Sequence, residues 1–461
     1  MPSAGEPRRS LGLGTTTSVV IGNMVGSGIF LLPASLAAYG IYSLWGWGVS
    51  AVGALLLARV FGRLARRTPL AGGPYAYPRL VFGDFAGFLL AWMYWISTAA
   101  GVAAIAVAFA SYLASFVPLL ATRPLAGAAA ALAATWLLTG VNILGVRAAG
   151  RLQLITVILK LSPLLVLGLF GIFYFNPHML VSGDSGQSAP AAIDASAALT
   201  MWAFLGLECA TIPTDHVENP ERTIPRATFI GTGLAAVFYI LCTTAVMGVI
   251  PANSLLHSNA PFADAAKLLW GGWAGNLIAA AAMISCFGAL NGWILVSGQF
   301  PQAAARDRLF PEVLAREGGR GTPVASLVLS SIIATVAILM SYSRGLVGMF
   351  NVMILIATFY TLVPYMLCAL AELLLGRGGK ARGRDIGLAS LAFVFALWAA
   401  AGAGTDTLYW GTLVMLAGLP VYVWQRWSQA DAARPEGAAT AAPASDPAAA
   451  ASASESPRVP C

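Results

Sequence analysis

The most restrictive feature of this sequence is a series of long stretches that are nearly free of charged residues. Twelve of them are long enough to be membrane helices: 15–38, 43–61, 83–117, 125–144, 152–175, 195–213, 227–250, 273–298, 323–342, 347–373, 386–403 and 407–425. A helix crosses a hydrocarbon layer about 30 Å thick with roughly 20 apolar residues. Only 10% of the residues are charged, whereas a soluble domain carries about 25%. The chain is therefore predicted to be an all-α membrane protein with twelve transmembrane helices in a lipid bilayer.

The basic residues are distributed unevenly over the loops between these stretches. If the N-terminus is cytoplasmic, sixteen basic residues fall in inner loops, and only Arg123, Lys267 and Arg344 fall in outer loops. Cytoplasmic loops of membrane proteins carry the excess of lysine and arginine. Both termini are therefore predicted to be cytoplasmic. The net charge of +7 follows from this asymmetry and does not indicate a nucleic-acid partner.

The segments outside the apolar stretches set the domain boundaries. Residues 1–10 are predicted to be a cytoplasmic N-terminal segment, and 11–427 the membrane domain. Residues 428–461 are rich in alanine, proline and serine and contain few large apolar side chains. Such a composition cannot bury enough apolar surface to fold, so this segment is predicted to be a disordered cytoplasmic tail.

No pattern in the chain indicates an enzyme or a bound cofactor. The motifs GxxxxGK[ST], GxSxG and HExxH are absent, the three histidines fall in loops, and the five cysteines show no paired spacing. No catalytic residue, metal site or cofactor is therefore predicted. A channel usually needs a filter loop or a ring of subunits, and no filter pattern stands out. A secondary transporter is the class that the remaining features favour.

Two apolar stretches contain residues that interrupt helices. Ile21–Pro33 reads "IGNMVGSGIFLLP", and Ala198–Thr214 reads "ALTMWAFLGLECATIPT" with Glu208 in the middle of the membrane. Glycine in a helix interior costs about 1 kcal/mol relative to alanine, which favours unwinding at both places. The alternative at the first place is a packing face of small residues, because Gly22 and Gly26 are four residues apart.

The two interrupted stretches are the first and the sixth, five helices apart. Secondary transporters bind substrate at mid-membrane, between broken helices in equivalent positions of two inverted repeats. The spacing predicts a five-plus-five inverted repeat with discontinuous helices 1 and 6: repeat one at about 11–175, repeat two at about 195–373, and two further helices at about 386–425. Free N–H groups in helix 1 can hold a carboxylate, and carbonyls near Phe204–Gly206 can hold an ammonium group, which together suit an amino acid.

Six motifs, in order along the chain, resemble those of a known transporter family. They are "GNMVGSGIFLLP", "AGGPYAYPRLVFG", "MWAFLGLE", "VENPERTIP", "GALNGW" and "FPEVLAREGGRGTPV". The chain resembles the amino acid–polyamine–organocation superfamily from about Thr15 to Trp427, and within it the basic amino acid/polyamine antiporters, particularly the branch that exchanges arginine for agmatine. The resemblance implies exchange of an amino acid for its decarboxylated amine, by alternating access, in a bacterial inner (plasma) membrane. It leaves a homodimer open.

The resemblance also implies roles for individual residues. The implied substrate-binding residues are Met24, Ser27, Gly28, Ser97, Thr98, Val102, Trp202, Leu205, Trp293 and Ala357. The implied gating residues are Tyr94, Trp202, Glu208, Trp293 and Tyr365. The implied residues for proton or ion coupling are Tyr75, Lys160 and Glu208. Among these, the indole face of Trp293 is expected to stack on a cationic side chain, an interaction of about 0.5–2 kcal/mol.

Two substrate positions depart from the arginine-specific pattern. The arginine branch has an asparagine and a serine where this chain has Val102 and Ala357. A guanidinium has five N–H donors, and a buried donor without a partner costs about 1–3 kcal/mol. Ser97 and Thr98 remain as acceptors. A smaller amine (lysine, ornithine or a decarboxylation product) or a neutral amino acid therefore fits better than arginine.

Lys160 is the third departure, in "TVILKLSPLL". A bare lysine in mid-membrane is costly unless it is paired, hydrated or neutral. Sodium-independent branches of the superfamily carry a lysine in this part of helix 5, where sodium-coupled relatives bind their ion. Lys160 is therefore expected to replace a sodium ion, the alternative being a side chain that reaches to the interface. Two other functions remain open: a proton-coupled amino-acid uptake permease, and a transporter-like nutrient sensor.

Overall fold

A computed structural model of the chain describes residues 12–25, 28–68, 73–144, 165–180, 186–211, 217–319, 321–375 and 383–432. Helices are the only regular secondary structure among those residues. Within them, eight helical stretches are long and apolar enough to cross a membrane. They are Tyr42–Arg67, Asp84–Leu113, Pro124–Leu144, Pro220–Val249, Gly272–Arg306, Val324–Leu375, Gly383–Ala401 and Thr405–Gln429. The predicted all-α membrane protein is confirmed.

The helices are numbered here in chain order. They are α1 (Leu13–Met24), α2 (Gly28–Leu36), α3 (Tyr42–Arg67), α4 (Ala76–Phe82), α5 (Asp84–Leu113), α6 (Leu119–Thr122), α7 (Pro124–Leu144), α8 (Leu165–Tyr174), α9 (Ala189–Met201), α10 (Pro220–Val249), α11 (Ala252–Leu256), α12 (Pro261–Trp270), α13 (Gly272–Arg306), α14 (Val324–Ser341), α15 (Gly345–Leu375), α16 (Gly383–Ala401), α17 (Thr405–Leu416) and α18 (Gly418–Ala432). The long stretch Val324–Leu375 is two helices, α14 and α15, joined by the 3-10 turn Tyr342–Arg344.

The helix α5 lies at the centre of the bundle. In its most apolar window 83% of the residues are buried, against 11% for the last stretch, Thr405–Gln429. It packs against α7, α13, α14 and α15. Its second half is dominated by alanine and other small residues, and small residues let membrane helices approach closely. Side chains on α5 are therefore placed to face several helices at once.

One end of the bundle carries most of its described ion pairs, and we call it the basic end. Here α3 and α13 finish, and α5 and α10 begin. The guanidinium of Arg67 lies 2.9 Å from Oε1 of Glu372, and that of Arg63 lies 3.1 Å from both Glu372 and Asp385. These pairs join the last turn of α3 to α15 and α16. The other end of the bundle is called the opposite end.

The opposite end is covered by the short helix α12. The phenol of Tyr112 on α5 donates a hydrogen bond to the carbonyl of Phe30 on α2 at 2.9 Å, and accepts one from the backbone N–H of Phe262 at 3.4 Å. The ring of Phe30 packs edge-on against both Tyr112 and Phe262. One buried hydroxyl thus connects α2, α5 and α12.

The last described helix corrects one predicted boundary. The tail was predicted to begin at residue 428, but α18 continues to Ala432. The amide of Gln425 donates to the carbonyl of Phe310 at 2.9 Å, and that of Gln429 to the carbonyl of Arg308 at 2.8 Å. These tertiary hydrogen bonds stabilise the last turns of the helix, so residues 428–432 are not part of a disordered tail. Residues 433–461 and 1–11 lie outside the described part of the chain.

Candidate functional site

The first interrupted helix breaks where the sequence predicts. The helix α1 ends at Met24, and Val25 leaves the helical region with ψ 82°. The next helix, α2, begins at Gly28, and all of its residues are buried. The first N–H groups of a helix have no partner within it, so the start of α2 can donate to an anionic group. Ser27, a predicted substrate contact, lies outside the described residues.

The second interruption lies between Met201, where α9 ends, and Leu207, where a 3-10 turn begins. Residues 202–204 form another 3-10 turn, Leu205 is extended with ψ 138°, and Gly206 has φ +100°. A positive φ of this size is readily adopted only by glycine. The backbone of this buried segment is therefore removed from the helical ladder, and its carbonyls can face a ligand. Both predicted interruptions are present.

The indole of Trp202 lies between the two interrupted helices and α5. A Cβ atom added to Gly28 would lie 2.6 Å from Nε1 of Trp202, and one added to Gly101 would lie 3.2 Å from its ring. The Trp202 side chain is 5% exposed, and its N–H is buried without an acceptor among the described residues. The ring of Trp293 is 6.1 Å away, inclined by 34°. The structure thus brings Gly28, Trp202 and Trp293 close together.

A hydroxyl pair joins α5 to α15 beside these aromatic rings. The Oγ of Ser97 donates to the carbonyl of Ala357 at 2.8 Å and lies 2.6 Å from Oγ1 of Thr361. The hydroxyl of Thr98 instead donates to the carbonyl of Trp95, on its own helix, at 2.7 Å. Of the two predicted acceptors, Ser97 therefore takes part in a contact between helices. Thr98 bonds locally.

The side chains of Val102 and Ala357 are buried close to this hydroxyl pair along α5 and α15. Val102 is 1% exposed and Ala357 is fully buried. Met24 and Leu205, two further predicted contacts, are also buried, at 4% and 3% exposure. The predicted substrate residues that the structure describes are therefore buried, except Trp293, which is partly buried; they lie on the interrupted segments or on α5, α13 and α15.

Glu208 accepts three hydrogen bonds in a dry environment. The phenol of Tyr94 donates to Oε1 at 2.6 Å, the phenol of Tyr365 donates to Oε2, and the N–H of Gly206 donates to Oε2 at 3.1 Å. Glu208 is 1% exposed. The predicted gating residues Tyr94, Glu208 and Tyr365, which come from three different segments, are therefore joined through one carboxyl group.

Two aromatic contacts continue this cluster toward the basic end. The ring of Tyr94 lies 4.7 Å from that of Phe300, and the ring of Tyr365 lies 5.0 Å from that of Phe61. Aromatic pairs at such distances contribute about 0.5–1.5 kcal/mol beyond their buried area. Together with Glu208 they form one connected cluster of buried side chains on that side.

Tyr75 belongs to a polar group nearer the surface of that end. Its phenol donates to Oδ2 of Asp307 at 2.9 Å, and the guanidinium of Arg79 lies 3.1 Å from the same oxygen. Tyr75 lies in a 3-10 turn between α3 and α4, outside the spanning helices. Burial, with a smaller contribution from the Asp307 carboxylate, raises the pKa of the Tyr75 phenol. The phenol therefore stays protonated at neutral pH.

Comparison with known proteins decides the family. Residues 11–419 match the family described as amino acid permease. The chain belongs to the amino acid permease family. It is 36% identical over 364 residues to the cadaverine/lysine antiporter of Escherichia coli (77% of this chain, 82% of the relative). It is 31% identical over 418 residues to the putrescine transporter PotE of Escherichia coli (89% and 95%), and 30% identical over 418 residues to that of Haemophilus influenzae (89% and 96%). The predicted resemblance to basic amino acid/polyamine antiporters is confirmed.

Several residues of this permease site were not predicted from the sequence. Gly101, Thr361, Phe300 and Asp307 contact predicted residues from distant parts of the chain. Thr361 has a weak signal in the sequence, because it lies one helical turn before Tyr365 on the same face of α15. Asp307 has none, since its partner Tyr75 is 232 residues away. Lys160 lies outside the described residues.

Proposed function

We propose that this permease is a secondary antiporter that exchanges a basic amino acid for the diamine formed by its decarboxylation. Lysine with cadaverine and ornithine with putrescine are the candidate pairs, in keeping with the names of the relatives. The observation that carries the proposal is that the two interrupted helices meet at Trp202, whose ring lies beside Gly28, Gly101 of α5 and the ring of Trp293. Ser97, one helical turn before Gly101 on α5, supplies a hydroxyl contact to α15. Transport proceeds by alternating access in a twelve-helix protein with a five-plus-five inverted repeat.

The headgroup of an amino acid binds between the breaks. The N–H groups at the start of α2, near Gly28 and Ser27, hold the carboxylate, because a helix N-terminus favours negative charge. The carbonyls of Trp202 and Leu205 hold the α-ammonium. Met24 and the ring of Trp293 line this space, and Trp293 stacks on the distal cation. A diamine uses the same carbonyls and the same aromatic face but leaves the N–H groups at α2 without an anionic partner.

The distal ammonium of the substrate is held by oxygens on α5 and α15. Oγ of Ser97 lies within hydrogen-bonding distance of both Oγ1 of Thr361 and the carbonyl of Ala357. An ammonium has three donors and is compact, while a guanidinium has five in a planar fork. The apolar side chains of Val102 and Ala357 offer a guanidinium no further acceptor, so lysine-sized amines are favoured over arginine.

The gate on the basic end is formed by Tyr94, Glu208 and Tyr365. We place this end on the cytoplasmic side of a bacterial inner membrane, with both termini cytoplasmic, because most basic loop residues lie there. Opening toward the cytoplasm separates the two phenols from the carboxyl group, which then exchanges a proton with water. Trp202 closes the site on the outer side.

Two residues outside this cluster complete the coupling scheme. Tyr75 contributes a hydrogen bond to Asp307 and no proton of its own, because its phenol stays protonated near neutral pH. Lys160, which lies outside the described residues, takes the place of the sodium ion that sodium-coupled relatives bind. Flux should then be independent of sodium and strongly reduced in Lys160→Ala. Normal flux in that variant, or a sodium requirement, would contradict the role of Lys160.

The test is counterflow into liposomes that contain the purified permease. Vesicles loaded with lysine or ornithine should take up labelled cadaverine or putrescine, and empty vesicles should not. Uptake into empty vesicles driven by a pH gradient alone would instead indicate a proton-coupled uptake permease. Binding of the amines, measured as thermal stabilisation, without any flux would indicate a nutrient sensor. Equal exchange of arginine would contradict the proposed distal site.

A further inference from the structure

The helices α3 and α10 form a groove at the basic end. They run antiparallel, and a Cβ atom added to Gly62 would lie 2.9 Å from Cα of Pro225, so the two backbones are close. One helical turn further into the bundle, the guanidinium of Arg59 lies over the ring of Phe229, 4.2 Å from its centroid. The side chain of Arg59 is therefore directed toward α10 along the surface of the groove.

Four arginines border this groove, and we call them the groove arginines: Arg59, Arg66, Arg222 and Arg226. All four are exposed. Among the residues that the structure describes, none of them has a carboxylate within ion-pair distance, whereas Arg63 and Arg67 on the neighbouring face of α3 are paired with carboxylates. The exposed carboxylates nearest in sequence, Glu218 and Glu221, form no ion pair with them.

Helical spacing aligns the groove arginines in two rows. Arg59 and Arg66 are seven residues apart, about 10 Å along α3, and Arg222 and Arg226 are four residues apart, about 6 Å along α10. Each pair therefore lies on one face of its helix. The two rows therefore place four positive charges along the two helices that form the groove.

The same rows continue toward mid-membrane with exposed apolar residues. Val52 lies seven residues before Arg59 and is 60% exposed. Ile230 and Leu234 follow Arg226 at intervals of four and are 44% and 55% exposed. A soluble anion would make no contact with these apolar side chains, whereas the acyl chain of a lipid would pack against them.

We propose that the groove between α3 and α10 binds an anionic phospholipid of the cytoplasmic leaflet, an inference that also uses the orientation proposed above. The groove arginines hold the headgroup phosphate, since basic pockets between membrane helices on the cytoplasmic side attract anionic headgroups. One acyl chain lies along Ile230 and Leu234. Phe229 holds the guanidinium of Arg59 at the edge of the apolar region, where long basic side chains reach toward the headgroups.

The site lies next to the first interrupted helix. The helix α10 packs directly on α1, because a Cβ atom added to Gly231 would lie 2.8 Å from Cγ1 of Val20. A lipid that holds α3 against α10 therefore also stabilises α10, the helix on which α1 packs just before the first interruption. Bound lipid should raise the stability of the folded protein.

The experiment compares two double variants of the full-length permease that remove equal charge. Arg59→Gln/Arg226→Gln changes the groove, while Arg316→Gln/Arg384→Gln changes exposed arginines elsewhere. Native mass spectrometry counts retained phosphatidylglycerol, and thermal unfolding is measured with phosphatidylglycerol, phosphatidylcholine or glycerol 3-phosphate. We expect the groove variant to retain roughly three-fold less phosphatidylglycerol and to lose most of its stabilisation by that lipid. The control variant should match the wild type.

Three outcomes would overturn the proposal. They are equal retention in the two variants, equal stabilisation by phosphatidylcholine, and stabilisation by glycerol 3-phosphate alone, which would indicate a soluble-anion site. If the groove variant does not fold, Arg59→Lys/Arg226→Lys is used, because it keeps the charge. It should still retain phosphatidylglycerol, and loss of retention in this folded variant would contradict recognition by charge. Counterflow of cadaverine in phosphatidylcholine liposomes checks the antiport proposal separately, since none of the groove arginines is a proposed substrate residue.

Discussion

The two groups of residues to which we assign the two gates are held in place in different ways. Toward the basic end, Glu208 accepts hydrogen bonds from Tyr94, Tyr365 and Gly206, so this group depends on donors that converge on one carboxyl group. On the other side, Trp202 is held by close packing against Gly28 and Gly101, and its N–H has no acceptor within the described part of the chain. The first group is therefore expected to respond most to the loss of an acceptor at Glu208, and the second to a change in the space around the Trp202 ring.

The largest expected effect is that of Glu208→Gln. The new amide NH₂ group cannot accept the hydrogen bonds that a carboxylate oxygen accepted at that position. Each buried donor left unpaired in this way costs about 1–3 kcal/mol. We expect exchange of labelled cadaverine to fall roughly 100-fold and its pH dependence to flatten. Thermal unfolding serves as the folding control. A variant that keeps the wild-type pH profile would remove Glu208 from the coupling scheme.

The next largest effect on exchange is expected from Gly28→Ala, at the contact between Gly28 and Trp202. The added methyl group would lie 2.6 Å from Nε1 of Trp202, so the ring must move, and overpacking of this kind costs about 1–3 kcal/mol. Exchange should fall roughly ten-fold while the protein still folds. Gly48→Ala is the matched control, because a Cβ there meets no atom within 4 Å. Equal behaviour of the two variants would mean that the position of Trp202 is unimportant.

A smaller effect is expected from Thr361→Val, a substitution at the hydroxyl pair between α5 and α15. The change keeps the shape of the side chain but removes the hydroxyl that lies 2.6 Å from Ser97. A hydrogen bond contributes about 0.5–1.5 kcal/mol, so the affinity for lysine and cadaverine should fall about five-fold in competition assays. Small neutral amino acids should be unaffected.

The converse change tests the same distal site. Val102→Asn combined with Ala357→Ser restores polar groups, and we expect it to raise the affinity for arginine relative to lysine. An unchanged preference in this double variant would show that other residues recognise the distal group.

The smallest effect is expected from Tyr75→Phe. The pKa of the phenol is raised by burial and by Asp307, so the hydroxyl stays protonated at every pH below its ordinary value of about 10. Its removal takes away one hydrogen bond to Asp307 and no titration in the neutral range. Flux measured from pH 5 to 9 should change by less than about two-fold, with the same profile. A shifted profile would show that Tyr75 takes part in the pH dependence of transport.

Features that depend on neighbouring residues in the same segment could be predicted from the sequence. Both interruptions were predicted because the local composition disfavours a continuous helix, and Gly206 indeed adopts φ +100°. The joining of Tyr94, Glu208 and Tyr365 was implied by motifs, not by composition. The predicted start of the tail at residue 428 was wrong. Gln425 and Gln429 make tertiary hydrogen bonds that composition does not reveal.

The sequence by itself determined that the chain is a helical membrane protein interrupted near Gly28 and Gly206, because hydropathy and helix propensity act over neighbouring residues. Only the tertiary structure decided which side chains meet. Ser97 and Thr361 are 264 residues apart, and Tyr75 and Asp307 are 232 apart. Contacts at such separations depend on how helices pack, and packing is set by the shapes of all the surrounding side chains together.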